Sequence, residues 1–367
     1  MIPASLRHLI EGLVTPSRLE ELSPAEWDLL VRQARKADLL ARLAANARKS
    51  GSLQRYPAQP RIHLESAWML AQQQRHEVFQ EVEHIRQALA PIGAPFVLLK
   101  GAAYALAGLT TSQGRTMSDI DILVARDVLT EVESALMKRG WTSSSTSAYD
   151  QRYYREWMHE LPPMQHIHRG TSLDVHHAIL PVTARSHPSS AALIAGAREL
   201  GDRPGIRVLS PVDMVLHSAT HLFHEGELEQ GLRGLVDIDS LLREFDTMDG
   251  FWASLVPRAI ELELTRPLFY AIRYAKQMLG TPIPQEVAHA SGKTIGALKT
   301  RPQRILMDAL YYRGLRPAHA STSDRWTPLA RLALYIRGHW LRMPPGLLVV
   351  HLGRKLLQPK PAPKTTL

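Results

Sequence analysis

The pattern of apolar and polar positions predicts helices at the beginning of the chain. Apolar residues recur at helical spacing through residues 38–48 and again through 65–89. Between these runs, residues 49–60 contain the glycine, serine and prolines that are typical of a connection. The pattern therefore predicts an N-terminal helical segment over residues 1–92.

The pattern changes after a turn at residues 91–95. An apolar run at residues 96–99 predicts a short buried strand, and Gly101 begins a helix of small residues. A polar loop at 110–118 precedes a second strand at 119–124. An amphipathic helix is predicted next, and further strands follow it. We expect the helix at 126–139, ended by Gly140, and short antiparallel strands within 141–180, the last of them at 172–179.

Helical spacing returns after residue 210. It predicts helices at 212–225, 228–245 and 251–279, with more between 302 and 340. The tail after residue 357 is rich in proline and lysine, which is typical of disorder. The predicted fold class is α+β, with a mixed sheet core flanked by helices. We divide the chain into an N-terminal helical segment, an α/β core, a C-terminal helical lobe and a basic tail: 1–92, 93–210, 211–345 and 346–367.

Composition narrows the possible chemistry. The chain has no cysteine, which excludes disulfides, thiolate metal sites and cysteine nucleophiles and favours a cytoplasmic location. No apolar run is long enough for a transmembrane helix, and the N-terminus resembles the start of a helix more than a signal peptide. Residues 251–367 carry 18 Lys+Arg against 5 Asp+Glu. This excess suggests a polyanionic partner such as RNA, a nucleotide-linked substrate or a membrane surface, although a solvated arginine-rich helical surface would look the same.

Two aspartates alternate on the second predicted strand. Asp119 and Asp121 share one face, about 7 Å apart, while the isoleucines between and after them point into the core. Two carboxylates this close favour a cation, and Mg²⁺ binds carboxylate and phosphate oxygens together. Two such ions can stabilise both oxygens of an in-line displacement at phosphorus. Alone, this pattern is more often a solvated turn or an ion pair.

The surrounding residues strengthen the metal interpretation. Gly101 follows a buried strand and opens a helix, where backbone N–H groups can bind phosphate. Asp174 lies between Leu173 and Val175, and a third aspartate on an adjacent strand would complete the metal ligation. The alternative for Asp174 is an exposed strand residue.

Together these motifs resemble the nucleotidyltransferase superfamily with the DNA polymerase β-like fold, and in particular a bacterial branch of it. The similarity spans roughly residues 70–240. It rests on three motifs in order: Leu99-Lys100-Gly101, then Arg115-x-Met117-x-Asp119-Ile-Asp121, then Leu173-Asp174-Val175-His176. The resemblance implies a mixed sheet flanked by helices, an NTP substrate, Mg²⁺ or Mn²⁺, and transfer of a nucleoside monophosphate to a hydroxyl.

The resemblance also implies roles for particular residues. Asp119 and Asp121 match the metal-binding pair, Asp174 matches the third acidic residue, and Gly101 matches the first position of the phosphate-binding motif. The motif often continues with Gly or Ser, whereas this chain has Ala102. Further candidates for nucleotide binding are Lys100, Arg115 and Ser118. Lys100 could equally point away from the site, and Arg115 could instead neutralise the aspartates.

A histidine-rich helix is predicted in the C-terminal lobe. His217, His221 and His224 recur at steps of four and three, so they share one face. Such spacing can bind Zn²⁺, but the accompanying glutamate and a fourth ligand are missing, which favours satisfied or substrate-facing histidines. The resemblance implies that this lobe packs across the cleft and that Asp237 pairs with a histidine or an arginine. His176 shares the face of Asp174, where it could orient that residue or contact substrate.

Three hypotheses follow from the sequence. The first is an enzyme that transfers a nucleotide from an NTP to RNA, protein or a small molecule, with an anionic acceptor favoured by the basic C-terminal third. The second is a non-catalytic binding module of the same fold that holds RNA or a protein. The third is a metal hydrolase centred on His217, His221 and His224.

Overall fold

The N-terminal segment consists of four α-helices packed side by side. The structure, a computed structural model, describes residues 4–143, 151–201, 203–224, 226, 228–294, 301–344 and 346. Ser23 caps the second helix in a capping box with Glu26, which satisfies N–H groups at its start. The predicted helical character of this segment is confirmed. The four helices are α1 (Arg7–Val14), α2 (Pro24–Lys36), α3 (Leu40–Lys49) and α4 (Ala58–Leu89).

The central sheet is mixed, and seven of its strands lie within the described residues. Their order across the sheet is β3-β4-β5-β2-β1-β7-β6, with helices α5 (Lys100–Leu106), α6 (Leu129–Lys138) and α7 (Ser190–Ala195) in the connections. The strands are β1 (Phe96–Leu98), β2 (Asp119–Leu123), β3 (Trp141–Ser143), β4 (Met164–His166), β5 (Ser172–His176), β6 (Arg198–Leu200) and β7 (Arg203–Val208).

Strand β2 lies at the middle of the sheet between β1 and β5. It pairs antiparallel with β1 and parallel with β5, in a register that sets Asp121 opposite Asp174 and Asp119 opposite Ser172. The antiparallel pairing predicted within 141–180 is confirmed for β3 with β4 and for β4 with β5, but β5 also pairs parallel with β2, which was not predicted. The sequence around β5 gives no local indication that the chain returns to place this strand beside β2.

The C-terminal lobe is helical, as predicted, but one predicted helix is broken. Residues 251–279 form α10 (Phe251–Glu261), α11 (Thr265–Tyr274) and a π-helical turn (Ala275–Leu279), because Glu263 adopts a left-handed φ of 57°. The other helices are α8 (Pro211–His224), α9 (Gly231–Phe245), α12 (Gln285–Lys293), α13 (Arg301–Gly314) and α14 (Thr327–Arg342). The expected disorder of the tail concerns residues 358–367, which lie outside the described part.

A single buried apolar cluster extends from Leu6 to Leu334 and includes residues from both helical segments and the sheet. The central strands carry much of it, since Val97, Ile122 and Val175 are fully buried. Burial of this kind is the main favourable contribution to folding. Across the described part of the chain, no helix has the length and apolar character needed to cross a membrane.

Candidate active site

The candidate site lies where β2 and β5 run side by side. Asp121 is buried, and its Oδ1 accepts hydrogen bonds from Lys100 Nζ at 2.9 Å and from His176 Nε2 at 3.0 Å. Burial acts to raise the pKa of Asp121, but Lys100 and His176 outweigh it and hold that pKa well below its usual range. Asp121 is therefore an anion that accepts hydrogen bonds from an ammonium group and an imidazole ring.

Lys100 points into the site and has an unusual backbone conformation. It follows β1 at the first position of α5 and has a φ of 46°, in the left-handed region that side chains other than glycine rarely adopt. Its ammonium group pairs with Asp121. Strained backbone of this kind is concentrated at functional sites.

Asp174 differs from Asp121 although the two face each other. Its side chain is partly buried, and among the described residues it has no hydrogen-bond or ion-pair partner. Burial, together with the nearby negative charges of Asp121 and Glu160, raises the pKa of Asp174 to about 7. A carboxyl group in this condition can accept a proton near neutral pH or bind a cation.

Asp119 is the exposed member of the three aspartates. Ser118 Oγ donates a hydrogen bond to Asp119 Oδ1 at 3.1 Å, so Ser118 contacts the acidic group itself. The negative charge of Asp119 also acts on Asp174 and on Arg115. The carboxylates thus lie within electrostatic reach of one another, and oxygen donors of this kind suit Mg²⁺ or Mn²⁺. The partnerless Asp174 is the observation that best fits a bound cation.

Gly101 and Arg115 lie in direct contact at the start of α5. A Cβ built on Gly101 would come within 2.2 Å of Arg115 Nη1, so only glycine leaves room for the guanidinium there. Arg115 does not pair with Asp119 or Asp121. Its Nε donates instead to Asp237 Oδ2 at 2.9 Å. The predicted pairing of Asp237 with an arginine is confirmed.

A pocket of about 110 Å³ opens beside Lys100, between α5, α8 and α9. Three cationic side chains contribute to its lining: Lys100, Arg115 and Arg233. Hydroxyl groups lie on the same wall, where Tyr104 and Ser218 are hydrogen-bonded to each other. Each of the three cations is paired with a carboxylate, and one of these carboxylates, Asp237, lines the pocket as well.

The loop before β2 is anchored from two sides. Arg42 on α3 donates to the carbonyls of Thr110 and Thr111 and lies 3.6 Å from Asp237 Oδ1. On the other side, Glu244 of α9 accepts hydrogen bonds from the Thr110 amide and hydroxyl. The N-terminal helices and α9 together fix the loop that leads to Asp119.

The histidine helix α8 contributes two of its three histidines to the site. Among the ionised groups that act on the pKa values of both His217 and His221 are Lys100, Asp121 and His176. His224 is instead affected by arginines of the C-terminal helices, among them Arg337 and Arg342. Within the described residues, the three histidines do not form a metal-ligand group. The hypothesis of a hydrolase centred on them is not supported.

His176 joins the aspartates to a segment that the sequence did not single out. Its Nδ1 lies 3.2 Å from Glu160 Oε2, and its ring stacks on His159 at 5.3 Å. Burial acts to lower the pKa of His176, but the two carboxylates on either side raise it overall. Arg42, Arg233 and Glu160 were also missed, because their contacts depend on tertiary packing that no local pattern records.

The chain matches a known protein family. A family model described as uncharacterised nucleotidyltransferase matches residues 23–280, which is well over half of the chain. The chain therefore belongs to this nucleotidyltransferase family, as its motifs indicated. No curated protein matches the chain, and no solved structure matches it either.

Proposed function

We propose that the protein transfers a nucleoside monophosphate from an NTP to a hydroxyl acceptor. The observation that carries this proposal is the parallel register that sets Asp121 opposite Asp174, with Asp119 on the same strand face. Three carboxylates on two neighbouring strands form an acidic group that can hold divalent cations beside a phosphate site.

Asp119, Asp121 and Asp174 would hold Mg²⁺ or Mn²⁺ once their carboxylates move closer together, since their oxygens do not all lie within 4.8 Å of one another in the described part of the chain. When bound, the ion would neutralise charge on the phosphates during displacement at phosphorus. Asp174 has a second task in this proposal. In its carboxylate form it can accept the proton of the attacking hydroxyl, because a bound cation would lower its pKa from the value of about 7 that burial gives it in the metal-free site.

The triphosphate would bind in the pocket beside the aspartates. Lys100, Arg115 and Arg233 would stabilise the leaving pyrophosphate by exchanging part of their present pairing with aspartates for phosphate oxygens. The small Gly101 lets the Arg115 guanidinium lie against the start of α5, where the backbone also offers N–H donors. The buried Ala102 has no hydroxyl to add, so these side chains provide the phosphate contacts.

The acceptor in this proposal is anionic. The last third of the chain carries a large excess of basic residues, and positive surface charge attracts polyanions such as RNA. A protein or small-molecule hydroxyl would use the same acidic site. The acceptor classes differ in their salt dependence, because RNA binding weakens steeply as salt is added.

Radiolabelled NTPs test the proposal directly. The full chain, incubated with each NTP and Mg²⁺, is expected to transfer label to RNA, to itself or to a component of cell extract. Asp119→Asn and Asp174→Asn should reduce transfer by at least about a hundredfold, since each removes charge from the reacting centre. Asp249→Asn, at an exposed position in the turn before α10, is the matched control and should retain activity. Absence of transfer with every NTP would overturn the proposal.

One observation favours a second candidate, a non-catalytic binding module of this fold. Lys100 and His176 already neutralise Asp121, so the site does not depend on a cation at that residue. Such a module would bind NTP or RNA with an affinity that Asp119→Asn leaves unchanged. Equilibrium binding beside the transfer assay separates the two functions.

A further inference from the structure

His159 and Glu160 lie on a segment that runs beside the end of β5. Glu160 forms an isolated antiparallel bridge with His176, and the His159 carbonyl accepts a hydrogen bond from the His177 amide at 2.8 Å. The Leu161 amide donates to the Val175 carbonyl at 2.8 Å. The backbone thus fixes His159 and Glu160 next to His176.

The side chains of these three residues converge. One ring nitrogen from each of His159 and His176 and one carboxylate oxygen of Glu160 lie within 4.8 Å of one another. Tetrahedral metal bonds of about 2.0–2.1 Å place ligand atoms roughly 3.4 Å apart, so a small contraction would complete the geometry. Among the described residues, this is the group of three that could hold a metal ion.

A buried nitrogen without a hydrogen bond points to a ligand at this place. His159 is 6% exposed, and its Nδ1 has no hydrogen-bond partner among the residues that the structure describes. Buried polar atoms are nearly always satisfied, because leaving one unpaired is costly. A metal ion would satisfy this imidazole.

His176 has the arrangement of a metal-binding histidine with an outer partner. Its Nδ1 faces Glu160, and its Nε2 can donate to Asp121 Oδ1 at 3.0 Å. Metal-bound histidines commonly donate their other N–H to a carboxylate, which fixes the ring and the tautomer. Asp121 would occupy that outer position, so the ion would also orient one of the three aspartates.

We propose that His159, Glu160 and His176 bind a divalent transition-metal ion of the zinc class, at a site separate from the aspartates. Two imidazoles and one carboxylate are ligands that Zn²⁺ accepts, whereas Mg²⁺ prefers oxygen donors and bound water. Binding displaces the proton from His176 Nδ1 into solvent and leaves Nε2–H on Asp121. The ion locks His176, and through it Asp121, in one orientation.

Zinc titration of the full chain tests this site. Protein stripped with a chelator is expected to bind one Zn²⁺ tightly in competition with a chromophoric chelator, and Co²⁺ is expected to give the visible absorption of a four-coordinate site. Loss of a residue that only orients a metal ligand typically weakens metal binding by roughly 10–100-fold, and Asp121→Asn should have an effect of this size. His159→Ala and Glu160→Gln each remove a ligand and should weaken Zn²⁺ binding by more than this. His168→Ala, which changes an exposed histidine in the turn between β4 and β5, is the matched control and should bind like the wild type.

The outcomes separate this site from the proposed nucleotidyl transfer. Asp119→Asn should abolish transfer but leave the Zn²⁺ stoichiometry at one, since Asp119 is not a ligand here. Circular dichroism of each variant shows whether it is folded, and the two ligand variants provide independent tests. If the wild type binds no stoichiometric Zn²⁺, or if folded His159→Ala and Glu160→Gln bind it as tightly as His168→Ala, the proposal is overturned, whatever the transfer assay shows.

Discussion

Asp121 and Asp174 face each other across β2 and β5, yet their carboxyl groups have opposite character. Lys100 and His176 hold the pKa of Asp121 below its usual range despite burial, whereas burial and neighbouring negative charge raise the pKa of Asp174 to about 7. In enzyme active sites, neighbouring carboxyl groups with different pKa values typically have different roles, one as an anion and the other in proton transfer. In this site, Asp121 is suited to remain an anion and Asp174 to exchange a proton.

The raised pKa of Asp174 predicts how stability depends on pH in metal-free protein. The folded state keeps a proton on Asp174 up to about pH 7, whereas the unfolded chain releases it near the ordinary value of 3.8. The contribution of Asp174 to stability is therefore present at low pH and lost as pH rises through this interval. Asp174→Asn should raise the melting temperature by a few degrees at pH 8 and leave it nearly unchanged at pH 4.

Differential scanning calorimetry in the presence of a chelator measures this effect. Asp249→Asn, at an exposed position, is the control and should melt like the wild type at both pH values. Equal melting temperatures for Asp174→Asn and wild type at pH 8 would contradict the role assigned to burial of this carboxyl group.

Substitution by alanine should have different effects at Gly114 and at Gly101. A Cβ at Gly114 would lie 2.2 Å from the Ala41 carbonyl oxygen, and the residue has a φ of 66°. Backbone cannot move aside easily, so Gly114→Ala should cost at least about 2 kcal/mol of stability. At Gly101 the neighbour is the mobile end of Arg115, so Gly101→Ala should cost less stability but weaken NTP binding.

Urea denaturation and equilibrium NTP binding on both variants check this pair. The prediction requires the two effects to separate, with Gly114→Ala being mainly unstable and Gly101→Ala mainly deficient in binding. A stable Gly114→Ala protein would show that the loop at 110–118 is not fixed against α3 as the structure has it.

Removing the buried charge of Asp237 should strongly reduce the stability of the protein. It accepts a hydrogen bond from Arg115 and lies 3.6 Å from Arg42, and all three side chains are largely buried. Asp237→Asn removes the partner of two buried cations and should cost about 3–5 kcal/mol. Asp28→Asn removes an exposed pair with Arg32 and should cost about 0.5 kcal/mol or less. Chemical denaturation compares the two, and similar losses would mean that Asp237 is not the centre of this cluster.

The sequence predicted the local elements of the site better than their contacts. Alternation along β2 placed Asp119 and Asp121 on one face, and the expected neighbour strand for Asp174 is confirmed by the register of β2 and β5. Their catalytic role stays a prediction. The strands β6 and β7 were missed because their residues are mostly polar, partly exposed and contain Pro204 and Gly205.

Other parts of the site depend on distant packing. Arg42 reaches Asp237 from a helix nearly two hundred positions earlier, and no periodicity in either helix indicates that contact. His224 follows the helical spacing of His217 and His221, but its position near the end of α8 brings it next to the C-terminal helices. Spacing specifies a helix face, while the packing of neighbouring elements decides what each turn of that face contacts.

Lys100 allows charge and backbone conformation to be tested separately. Its ammonium group pairs with Asp121 at 2.9 Å, and its φ of 46° is left-handed. Lys100→Gln and Lys100→Gly both remove the charge, so both should reduce nucleotidyl transfer by about a hundredfold or more. Only glycine relieves the left-handed strain, which costs other residues roughly 1–2 kcal/mol. Lys100→Gly should therefore unfold at higher denaturant concentration than Lys100→Gln, although both lose activity. If the glutamine variant is the more stable, the left-handed turn at this residue does not store strain, and the orientation of Lys100 toward Asp121 must instead come from the ion pair itself.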